Sequence, residues 1–83
     1  MNGIFVSGIL GSATRKERNF DGKNIVNFVY LVLVDDVAIR ITSDYDYRER
    51  IKFGDEVTFK VTIRSYNNIV YYHGEYITDE DIE

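Results

Sequence analysis

The chain has 83 residues, 45% hydrophobic and 29% charged, a globular balance at a length that suits one domain burying only about 60% of its unfolded surface. The absence of Cys excludes disulfides and thiolate zinc sites, and a single His, His73, gives an all-nitrogen metal site one ligand, so neither a metal nor a cofactor is expected. No apolar run approaches the roughly 20 residues that span a bilayer, and Met1-Asn2-Gly3 lacks the charged start of a secretory leader; a cytoplasmic protein without a membrane segment is expected.

The formal charge of −4 is unevenly spread. Asp79, Glu80, Asp81 and Glu83 fall in the last stretch, 78–83, while residues 1–77 hold ten acids and ten bases. The reading is therefore a neutral domain over 1–77 followed by an acidic tail over 78–83. Between Arg15 and Lys23 the bases Arg15, Lys16, Arg18 and Lys23 outnumber Glu17 and Asp21, so a local positive patch lies near the front of the chain.

Along the chain the dominant signal is alternation with period two, the pattern of strands with one buried face. Residues 4–14 alternate Ile4, Val6, Gly8 and Leu10 against Phe5, Ser7, Ile9 and Gly11. Glycines inside such a strand predict a bulge or a close backbone approach, hence a bend. Residues 15–24 are polar, contain Asp21-Gly22 and read as a loop, with Phe20 as its only large apolar side chain.

Residues 25–34 are nearly all apolar or aromatic and rich in β-branched side chains, which predicts a strand buried along most of its length. Asp35-Asp36 breaks it, and Val37, Ile39 and Ile41 then alternate with Ala38, Arg40 and Thr42 in a third strand, with Arg40 facing away from the core. In 44–52, Asp44 is a candidate N-cap and Tyr47 and Ile51 stand four apart, predicting one or two helical turns ended by Gly54. Residues 56–64 alternate again, 65–68 form a turn, and 69–77 make a fifth strand. Phe5, Phe28, Phe53 and Phe59 read as core, and His73 as a cross-strand hydrogen-bonding residue.

Five strands with a short helix between the third and fourth is the chain order of the OB-fold, a small all-β barrel that often binds oligonucleotides. A five-stranded SH3-like barrel is the alternative, although it lacks a helix at this place.

The residues also resemble the bacterial and phage single-stranded DNA-binding proteins, with the primosomal replication protein N as a relative. The similarity starts at Met1-Asn2, runs through Val6, Gly8, Leu10-Gly11, the basic segment with Gly22 and Val26-Asn27-Phe28, and resumes at Phe53-Gly54-Asp55-Glu56-Val57 and the hairpin at 72–77. It implies an OB-fold that binds single-stranded DNA without sequence preference, in replication or recombination and in a phage or other mobile element. It implies self-association as a homodimer along the first strand. Replication or recombination proteins become expected partners, and the acidic tip Asp79, Glu80, Asp81 and Ile82 a partner-binding segment. The chain departs from the family in having no Trp, in joining the second and third strands by Asp35-Asp36 alone, and in lacking a terminal Pro-Phe.

Single-strand binding needs cations for phosphates and flat rings for bases. The candidates are Arg15, Lys16, Arg18 and Lys23 with Phe20 among them, Tyr30 and Arg40 on the second and third strands, Lys60 and Arg64 on the fourth, and Tyr66 at the last hairpin. No catalytic residue is expected. The lone His has no Ser signature beside it, Asp35-Asp36 point to opposite faces, and no phosphate-binding glycine pattern occurs. The competing non-enzymatic reading is a protein-interaction module of a replication or mobile-element complex, with no DNA contact of its own.

Overall fold

The computed structural model describes residues 4–78, and the acidic tip Asp79, Glu80, Asp81 and Ile82 lies outside them. Five strands form: β1 (Ile4–Phe20), β2 (Lys23–Val34), β3 (Val37–Ser43), β4 (Glu56–Tyr66) and β5 (Ile69–Ile77). They close in the order β1-β2-β3-β5-β4. All neighbours are antiparallel except β3 and β5, which run parallel and pair only at Ile41↔Tyr72 and Thr42↔His73.

Alternation sends one side chain in two to the interior. Val6 and Leu10 of β1, Phe28, Tyr30 and Val32 of β2, Ile41 of β3, and Val57, Phe59 and Val61 of β4 make the core, with Ile51 added from the β3–β4 connection. The bend expected in β1 is present. Residues 4–9 pair with β4 and 9–20 with β2, and the register shifts between Leu10 and Ser12, at Gly11. Gly8 sits where a Cβ would run into the Leu33 carbonyl group, so only glycine lets β1 pass this close to β2.

Two expected elements form differently. Residues 15–24 are a ribbon and not a loop, since β1 continues to Phe20 and pairs with β2 down to Phe20↔Lys23 across the turn Asp21-Gly22, whose φ values are 53° and 76°. The main-chain ladder forms whatever the side-chain polarity. A two-stranded extension beyond the barrel has no buried face, so it shows none of the apolar alternation that marks the other strands. The positive φ at both turn residues matches a hairpin turn whose twist follows the strands.

The helix expected between the third and fourth strands is not formed among the described residues. Residues 44–55 hold two isolated turns: the Tyr47 carbonyl accepts from Arg50 N (2.8 Å) and Ile51 N (3.0 Å), and the Lys52 carbonyl accepts from Asp55 N (3.0 Å). Asp46 Oδ1 accepts from Arg48 N at 3.0 Å, and this local side-chain bond competes with a helical start. Asp44 does not cap a helix; its Oδ1 accepts from Asn27 Nδ2 at 3.3 Å. One turn cannot offset the cost of helix nucleation, so tertiary packing fixes the segment instead. Tyr47 packs with Tyr30, Phe59 and Tyr76 at ring separations of 5.8, 6.3 and 5.5 Å. The Arg48 and Arg50 guanidinium groups lie 5.4 and 5.3 Å from the Phe28 and Tyr76 ring centres.

Phe28 and Phe59 are core, as expected, but Phe5 and Phe53 are 55% and 82% exposed. Phe5 is out of phase with Val6 on β1 and points outward, and Phe53 sits in the turn that precedes β4.

Candidate nucleic-acid interface

In the β1–β2 ladder, Thr14↔Val29, Lys16↔Asn27, Arg18↔Ile25 and Phe20↔Lys23 are directly opposed, so these side chains share one face of the bent sheet. On β3 the same outward face carries Arg40 and Thr42, opposite Leu31 and Val29. Lys16, Arg18, Asn27, Val29, Arg40, Thr42 and Tyr71 together line a groove of about 340 Å³. Three cations therefore converge over a floor made by Val29, with one aromatic ring on the far wall. Phe20, 61% exposed, and Lys23 extend this face toward the tip of the ribbon.

Arg15 does not belong to it. It is opposite Phe28 on the other face and lies 3.6 Å from Glu17. Tyr30 is corrected outright: it is fully buried, its hydroxyl donates to the Tyr45 carbonyl at 2.7 Å and accepts from Tyr47 N at 2.8 Å. Its even position on β2 points inward with Phe28 and Val32, so no base can reach it. Burial raises the pKa of both Tyr30 and Tyr47. Arg40 faces outward as expected.

Lys60 is outward but apart, in a smaller hollow with Tyr45, Thr62, His73 and Glu75. Arg64 is opposite Tyr71 in the β4–β5 ladder and flanks the groove. Tyr66, 69% exposed, ends β4 at the Asn67-Asn68 turn.

The residue that sequence reasoning missed is Tyr71, 44% exposed. Its alternation with His73 and Glu75 was visible. Its position beside Arg40 depends on the parallel pairing of β3 with β5, which no local pattern announces. His73 makes the expected cross-strand contact. Its Nδ1 is 3.3 Å from Thr42 Oγ1 and its Nε2 is 3.7 Å from Asp44 Oδ2, tying β5 to β3 beside the groove.

The described residues hold no group of three or more His, Asp or Glu side chains that could bind a metal. The most shifted carboxylate is Asp46, held down to about 2 by hydrogen bonds from the Arg48 side chain and backbone; it lies in the 44–55 segment, away from the groove.

The chain is an OB-fold domain. It is similar to the solution structure of the OB domain of Ta0387 from Thermoplasma acidophilum, with a TM-score of 0.60 over 87% of this chain and 19% sequence identity. The match spans 66% of that protein's chain. No family model and no curated protein matches the sequence, so the likeness is one of fold.

Proposed function

We propose that the domain binds single-stranded DNA without sequence preference, with phosphates following Lys16, Arg18 and Arg40 across the outward face of β1, β2 and β3. The observation that carries this reading is the convergence of those three cations with Tyr71 on one groove. Cations that track a backbone and rings that stack on any base are the two parts such binding needs. The β2–β3 face, flanked by the first and last hairpins, is also where OB-folds commonly take oligonucleotides. An overall charge of −4 does not oppose this, because what steers a polyanion is the local field, and among the described residues no carboxylate lines the groove.

A role in replication or recombination, with proteins of those processes as partners, belongs to the same reading through the resemblance to the single-stranded DNA-binding proteins. A homodimer along β1 is supported by Phe5 and Ile9, which are exposed on the same outward face of that strand with Ser7 between them.

The test is a fluorescence-anisotropy titration of a labelled oligo-dT and a duplex of equal length at two salt concentrations. Wild type should prefer the single strand, and log affinity should fall with log salt by about 0.7 per phosphate contact. A Lys16/Arg18/Arg40 triple Ala variant should lose most of the binding and flatten the slope. No binding at low salt would falsify the reading and turn attention to a protein partner.

A further inference from the structure

Beyond Ile41↔Tyr72 no ladder pair joins β3 and β5 among the described residues, and the start of each strand diverges from the other. The gap is a cleft of about 430 Å³, lined chiefly by Val37, Ala38, Ile39, Ile69, Val70 and Tyr71. Val37, Ile69, Val70 and Tyr71 are all large apolar side chains left exposed here. A contiguous apolar surface of this kind marks a binding site more often than scattered exposed residues do.

The cleft is not isolated. Arg40, Thr42 and Tyr71 line both it and the cationic groove, so one opens into the other. A ligand that satisfies both must carry negative charge along its length and a flat apolar group beside that charge. Single-stranded nucleic acid has this pattern, whereas a duplex keeps its bases stacked inside.

We propose that the cleft between the diverging starts of β3 and β5 receives an unstacked base of the strand whose phosphates follow Lys16, Arg18 and Arg40. This rests on the reading of the groove given above. Tyr71 supplies the stacking face at the mouth, and Ala38 leaves the room that a larger side chain would fill.

The chain has no Trp, so Tyr71→Trp places a single indole reporter at the mouth. It is titrated with oligo-dT and with an abasic oligonucleotide of the same length, while anisotropy gives both affinities. The expected result is quenching of the indole by oligo-dT only, with the base-bearing strand bound roughly tenfold or more tightly than the abasic one. Ala38→Leu, at an exposed strand position, should shrink that ratio and leave the salt slope unchanged, with thermal melting to confirm its fold. Equal affinity for the two strands with unchanged emission overturns the cleft assignment and leaves the phosphate track standing. Failure of both strands to bind at low salt overturns the groove as well. Emission that changes with protein concentration alone identifies the cleft as a contact between copies and also overturns the assignment.

Discussion

Tyr30 shows how one hydroxyl can decide whether a residue reads as ligand or scaffold. Its hydroxyl bonds two main-chain groups of the β3–β4 connection at once, the Tyr45 carbonyl and the Tyr47 amide. Tyr30→Phe keeps the ring and strands both groups, so urea denaturation should show a loss of about 1–3 kcal/mol, with oligonucleotide affinity unchanged. Burial raises the Tyr30 pKa above its ordinary 10.0. A group that holds its proton more firmly when folded contributes stability that is present below pH 10 and is lost as pH rises through its folded pKa. Wild type should therefore lose stability in that alkaline range more steeply than Tyr30→Phe. Gly74 is a second such position. A Cβ there would meet the Lys60 carbonyl oxygen and the Val61 Cα on β4, and Gly74→Ala should destabilise by about 1–3 kcal/mol.

At the scale of elements, the β1–β2 ribbon divides its charges between faces. Lys16 and Arg18 point into the groove, while Arg15 lies opposite Phe28 beside Glu17. Lys16→Ala and Arg18→Ala should each weaken oligo-dT binding and flatten its salt slope, and Arg15→Ala should do neither to a comparable degree; anisotropy at two salt concentrations separates them. The composition revealed the basic segment but not its division, because faces follow from register, and a polar ribbon offers no apolar phase to set it. The three strand runs with alternating apolar residues were legible for the opposite reason. The 44–55 segment misled through its Tyr47–Ile51 spacing, which fits a helix but serves here to place two side chains in the barrel end. Its Asp46–Arg48 pair also gives it an acid signature. Asp46 is held down to about 2 from 3.8, so its contribution is present above pH 4 and is lost as pH falls toward 2. Asp46→Asn should flatten the acid limb of thermal stability across that window, as followed by circular dichroism.

For the whole molecule, binding along the groove would engage β1, β2 and β3 together with Tyr71 of β5. Any ligand that binds only the folded state raises its stability in proportion to the logarithm of its concentration above Kd. Saturating oligo-dT should raise Tm, and the Lys16/Arg18/Arg40 variant should lose that increment while keeping its ligand-free Tm within a few degrees. The all-β class and the strand count were readable along the chain. Closure of the ring was not, because the β1–β4 and β3–β5 seams join segments far apart in sequence.

Those two seams carry a kinetic consequence. The β1–β2–β3 meander and the β4–β5 hairpin are each built from neighbours in the chain, so either can form before the other. Docking them must organise the 44–55 tether and then complete the sparse Ile41↔Tyr72 and Thr42↔His73 ladder. Long-range pairing of this kind comes late and slows folding. Weakening the last seam, for instance at Thr42, should then hasten unfolding while leaving refolding almost as fast as before.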